Sequence, residues 1–231
     1  MTITFDLEQF EADVWYYSSL EGTIKSDTWE EIVAHCVNGK TIPGDHFMAD
    51  VYNEKYCFNV KSIKEQFRSK TGNRTIEFVQ CRTPISNDRD LSDNELSLKI
   101  LETLDSKLNE SLTTFNSEKM IDVIILHKRY DNLYHATVYL LDHPNFNLYN
   151  LTWKDGKGTI DGNKSWTIKR KWSDDSHRQT CTLIKNKYFV DDIVADVDII
   201  SLDNHNVSKK DIIDKYKTFI NELQQIGGNH A

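Results

Sequence analysis

Apolar side chains recur at three- and four-residue steps near the start of the chain, where Leu7, Phe10 and Val14 mark the first turns of an amphipathic helix. A second helix is expected over residues 28–37, its apolar stripe formed by Trp29, Ile32, Val33 and Cys36. Asp27 or Thr28 would cap its start, with Glu31 closing a capping box if Thr28 is the cap, and Gly39 would sit just past its end. After the turn at Pro43-Gly44 the period shortens to two. Strands are expected over 46–52 and 56–63, joined by the polar Asn53-Glu54-Lys55, and another over 75–83. Residues 91–115 hold a long helix, with Leu96, Ile100, Leu104 and Leu108 at near-helical spacing. A buried strand at 120–127 pairs with 133–141 across a polar turn. The stretch 145–189 is strand-like, with turns at Asp155-Gly156 and Asp161-Gly162-Asn163, and an amphipathic helix closes the pattern at 211–226.

These elements describe an α/β chain of the α+β kind: a central mixed β-sheet flanked by helices, then a β-rich C-terminal half. The 231 residues are 39% hydrophobic, enough for a sizeable core, and only nine Gly and three Pro interrupt them. With no Gly/Ser-rich or Pro-rich linker and no repeat, one domain over residues 1–231 is expected. Its core would be 28–141, followed by the β-rich region 145–190 and the helix 211–226. The acidic N-terminus lacks the basic-then-apolar order of a secretory signal, and no apolar run reaches the roughly 20 residues needed to span a bilayer. Cys36, Cys57, Cys81 and Cys181 form no C-x-x-C pair, so reduced, mostly buried thiols in a cytoplasmic protein are expected.

A net charge of −8 speaks against polyanionic partners until its distribution is considered. Residues 55–89 carry eight Lys/Arg against three Asp/Glu, and 151–190 carry nine against four. Each segment therefore stands at +5, and the remainder of the chain at −18. Segregation of this kind allows a basic face on an acidic protein.

Candidate chemistry gathers in the two strands after Pro43. Alternate residues of a strand share a face, so Asn59 and Lys61 point one way while Phe58 and Val60 point into the core. A hairpin through 53–55 would return Asp50 beside Asn59. One carboxylate, one amide oxygen and one ammonium then surround a single spot. Mg²⁺ prefers oxygen ligands and accepts one or two from protein while keeping several waters. Asp50, the Asn59 oxygen and the Val60 carbonyl could supply them, with Lys61 orienting or deprotonating the attacking water and neutralising phosphate charge. Asp45, in the preceding turn, is the rival to Asp50.

This arrangement resembles the PD-(D/E)XK nuclease superfamily, in which an Asp on one strand is followed by an acidic residue, any residue and Lys on the next. Asn59 stands at the acidic position, where some restriction enzymes of the superfamily also carry Asn or Gln, and Ala49 stands where a Pro is usual. The resemblance covers about residues 28–127 and implies a restriction-endonuclease-like core with Mg²⁺ as cofactor. It further implies a metal-binding Glu from a preceding helix, for which Glu30, next to Trp29, is the match. The implied activity is type II site-specific cleavage of double-stranded DNA that leaves 5′-phosphates. Palindromic sites favour a homodimer, although small members also act as monomers.

The β-rich region supplies the matching DNA surface. Lys154, Lys164, Lys169, Arg170 and Lys171 are placed to neutralise phosphates, and Arg178 and Gln179 to read base edges. Three of the five tryptophans, Trp153, Trp166 and Trp172, fall in the same stretch. His127 and His135 are expected to be satisfied sheet-edge histidines, and His143 finds no partner His at helical spacing. Two other functions fit the chain. One is a structure-specific repair or junction nuclease; the other is a non-enzymatic inhibitor using its acidity as a DNA mimic.

Overall fold

The computed structural model describes residues 3–44, 47–64, 76–77, 84–87, 89–143, 151–154, 157–160, 166–174, 178–185, 193–200 and 208–227. Two helices open the chain, α1 (Leu7–Glu21) and α2 (Ser26–Cys36). They are followed by three antiparallel strands, β1 (Lys40–Thr41), β2 (Val51–Tyr52) and β3 (Tyr56–Lys64). Short strands β4 (Ile76–Glu77) and β5 (Pro84–Ser86) precede the long helix α3 (Asp93–Thr114), which leads into the hairpin β6 (Lys119–Tyr130) and β7 (Leu133–Asp142). Strands β8 (Leu151–Lys154), β9 (Lys157–Ile160), β10 (Trp166–Ser173) and β11 (Arg178–Lys185) come next, then β12 (Ile193–Ile200) and α4 (Lys209–Gly227).

The central sheet runs β1-β2-β3-β6-β7-β12, with β3 and β6 parallel and the other neighbours antiparallel. A parallel pair cannot be closed by a tight turn, and α3 lies in the crossover that makes this one possible. Its start is fixed by a capping box: Ser92 accepts from the Glu95 N–H and the Glu95 carboxylate accepts from the Ser92 N–H. The second sheet, β4-β11-β10-β9-β8 with β5 also paired to β11, is antiparallel. The fold is therefore mixed α/β, of the α+β kind expected.

Residue parity sorts the central sheet into two buried faces. Tyr56, Phe58 and Val60 of β3 join Ile121, Val123 and Ile125 of β6 in packing on Phe10, Trp29, Ile32 and Val33 of α1 and α2. Cys57 of β3 and Met120, Ile124 and Leu126 of β6 pack instead beneath Leu96, Ile100, Leu104 and Leu108 of α3. Ile168 of β10, Leu151 and Trp153 reach the same α3 cluster, and the Trp153 indole N–H donates to the Ser97 hydroxyl. The second sheet thus packs on the α3 side.

Several local expectations are corrected. The helix expected at 28–37 begins earlier, at Ser26, and its N-cap Lys25 makes no side-chain capping hydrogen bond; Asp27 instead accepts from the Thr28 N–H. Glu31 is therefore beyond the first turn and accepts from the Tyr17 hydroxyl at 3.0 Å. The positive φ past this helix belongs to Asn38. Gly39 is needed for a different reason: a Cβ there would lie 2.6 Å from the Tyr52 carbonyl oxygen. The strand expected over 46–52 is confined to Val51–Tyr52, with residues 45 and 46 outside the described residues. Strand β12 was not anticipated, although its Ala195, Val197 and Ile199 alternate with Asp196 and Asp198.

Candidate active site

Strand β3 outruns its neighbour. Val51 and Tyr52 pair with Phe58 and Cys57, whereas β3 continues along β6 as far as Lys64. The Phe58 carbonyl faces β2, since it accepts from the Asp50 N–H at 2.9 Å; by strand alternation the Val60 backbone groups face the same way, just beyond the end of β2. Side chains complete this edge. Asp50 Oδ2 accepts from the Val60 N–H at 2.7 Å and from Lys61 Nζ at 3.0 Å, and Lys61 Nζ also donates to the Val60 carbonyl at 2.9 Å. The Asp50 and Lys61 side chains are 22% and 23% exposed, so the pair is sheltered yet reachable from water.

Behind the pair the polar side chains are buried. Asn59, fully buried on the α3 face, donates through Nδ2 to Asp122 Oδ1 at 2.7 Å. Asp122 sits directly opposite on β6, in the register Asn59↔Asp122, and is also fully buried. His143, just past β7, places Nδ1 at 2.9 and 3.0 Å from its two carboxylate oxygens. Among the described residues Asn59 Oδ1 has no hydrogen-bond partner, a state that ordinarily costs about 1–3 kcal/mol for a buried acceptor. Close by, Cys57 directs its thiol to the Ser111 carbonyl and the Ser117 hydroxyl, and burial pushes that thiol's pKa up, away from a reactive thiolate.

The structure therefore brings Asp50 and Lys61 into contact and sets Asn59 on the same face. Glu30 lies on α2, whose Trp29, Ile32 and Val33 pack on the Phe58 and Val60 face of the sheet. The Val60 carbonyl is engaged by Lys61. Asp45 lies outside the described residues. Asp122 was missed, although a lone acid inside the apolar run 120–126 was the available signal. His143 was set aside for want of a partner His; its partner is a carboxylate.

For Mg²⁺ the residues fit in a restricted sense. Among the described residues no group of three or more His, Cys, Asp or Glu side chains could hold a metal. The Asp50 carboxylate and the orphaned Asn59 oxygen are two hard oxygen donors, and Mg²⁺ tolerates few protein ligands when water completes its shell.

In the second sheet, pairing sets Lys154 opposite Lys157 and Lys157 opposite Lys169, a row of exposed lysines across β8, β9 and β10. Leu151 and Trp153 alternate inward toward α3, so the row lies on the outer face of this sheet. Trp153 is accordingly a packing residue, not a DNA-facing one. Arg170 and Lys171 lie on β10 and Arg178 and Gln179 on β11; their side chains, and all of Lys164, fall outside the described residues.

Compared with family models, curated proteins and solved structures, the chain matches none. Among the described residues, no helix is long and apolar enough to cross a membrane.

Proposed function

We propose that this chain is a Mg²⁺-dependent endonuclease that hydrolyses phosphodiester bonds in double-stranded DNA at a short specific site, as a type II restriction enzyme does. The observation that carries the reading is the Asp50–Lys61 pair where β3 runs past β2, with the Asn59 oxygen, unpartnered among the described residues, on the same face. Such a set is what phosphoryl hydrolysis needs: an acid and an amide to hold a cation, and an ammonium to meet phosphate charge. Mg²⁺, when bound, would polarise the scissile phosphate and make water a stronger nucleophile.

Asp50 would exchange its contact with Lys61 for the cation while keeping the Val60 N–H, which holds its carboxylate in place. Lys61, released, would turn to a non-bridging phosphate oxygen or to the attacking water. The lysine row on the second sheet supports the choice of substrate: three like charges set side by side repel one another unless a polyanion neutralises them. Cutting both strands of a palindromic site calls for two such centres, hence a homodimer.

The test is incubation of the purified protein with long unmodified duplex DNA and Mg²⁺, with and without a chelator, read on a gel. Discrete fragments that vanish with the chelator are expected. DNA left intact overturns the reading in favour of a binding protein; cutting confined to branched substrates overturns site specificity.

A further inference from the structure

An amide has two chemically different ends, and which one faces a ligand decides whether it attracts or repels a cation. Rotated by half a turn, Asn59 would present an N–H₂ group where the nuclease reading requires oxygen. Nothing in the side chain itself prevents this. The constraint comes from the neighbouring strand: a carboxylate only accepts hydrogen bonds, so Asp122 tolerates the Nδ2 end of Asn59 and excludes the oxygen end.

From this we infer that Asp122, held by His143, is a positioning residue that locks the Asn59 amide with its oxygen directed away from β6, as a ready cation donor. The inference rests on the proposed cation site and adds a residue to it. Three observations converge. Asn59 and Asp122 are direct partners in the parallel register and both are fully buried. The Asp122 carboxylate is itself fixed by His143 Nδ1, which meets both of its oxygens. The remaining end of the amide, Oδ1, is buried and without a partner among the described residues, and β2 with Asp50 flanks β3 on the side opposite β6. The arrangement also favours an amide at position 59: a carboxylate there would face Asp122 at 2.7 Å, and the two could persist only by taking up a shared proton.

The pair should consequently tolerate exchange but not duplication. Wild type, D122N, N59D and N59D/D122N are compared by calorimetric titration with Ca²⁺, which probes the site without turnover, and by thermal unfolding. D50N serves as the control that locates binding at this site. In D122N either orientation of the amide pair becomes possible, and Ca²⁺ affinity is expected to fall about 10–100-fold, as when an outer-shell partner is lost. N59D should unfold at a lower temperature than wild type. N59D/D122N, with the carboxylate moved to β3 and the amide to β6, should recover both the unfolding temperature and Ca²⁺ affinity. Ca²⁺ affinity in D122N within threefold of wild type, with binding still lost in D50N, overturns the positioning role and leaves the cation site standing. A double variant that recovers its fold but not its affinity does the same. Wild type that takes up no Ca²⁺ overturns both.

Discussion

Replacing Lys61 with Met separates what the ammonium does for the fold from what it does for cleavage. Methionine keeps the unbranched stem and much of its packing and removes only the charge and its donors. In the fold, the loss is one ion pair at 3.0 Å and one hydrogen bond to the Val60 carbonyl. Exposed pairs are worth about 0–1 kcal/mol, whereas stranding one partner of a fully buried pair costs about 3–5 kcal/mol. With both side chains a little over a fifth exposed, the pair stands between these limits. Asp50 also keeps the Val60 N–H, so about 1–2 kcal/mol is expected. For a chain of this size, that lowers the unfolding temperature by about 2–8 °C. In catalysis, removing one preorganised group that meets transition-state charge costs about 3–4 kcal/mol, or 10²–10³-fold in rate. The assay pairs initial rates of plasmid cleavage in Mg²⁺ with urea unfolding of the same preparations. Cleavage within threefold of wild type by a folded Lys61→Met protein would refute the reasoning, and Lys61 would then be only a cap on the open edge of β3.

Three further outcomes are expected. His127 is buried, places Nδ1 2.7 Å from the Tyr134 hydroxyl oxygen, and is held down to a pKa of about 4 by burial and then by Lys64. As pH falls from 6.5 toward 4 the unfolded chain gains a proton that the fold refuses, costing about 3 kcal/mol. Urea midpoints should show that share of the acid loss in wild type and not in His127→Gln; equal slopes would contradict it. The His35 pKa is raised, chiefly by its hydrogen bond to the buried Asp13, so its contribution is complete below pH 6.5 and is lost as pH rises through the elevated value. Thermal scans between pH 6 and 9 should show a fall that His35→Gln abolishes. Finally, changing Lys154, Lys157 and Lys169 together to Gln should leave stability unchanged or slightly higher and reduce the salt slope of DNA binding by about 3. An unchanged slope in filter binding would remove this face from the DNA surface.

Period and punctuation alone were enough to place much of this protein. The alternation in β3 assigned Asn59 and Lys61 to one face, and the four-residue spacing of Leu96, Ile100, Leu104 and Leu108 marked the buried stripe of α3. The run 120–127 announced a buried strand. Each is a local property, because a side chain's direction relative to its own backbone follows from the helix or strand period. What lies across from that side chain is not local. Asp122 meets Asn59 only because α3 carries the chain over to a parallel neighbour in one particular register, 63 residues on. His143 joins them only once β7 has folded back, and α2 settles on the other face through the packing of Trp29 and Ile32. The early end of β2, which leaves the Val60 edge to Asp50 and Lys61, likewise appears only in the assembled sheet. Periodicity determined the face; non-local packing chose the neighbours, and the neighbours decide the chemistry.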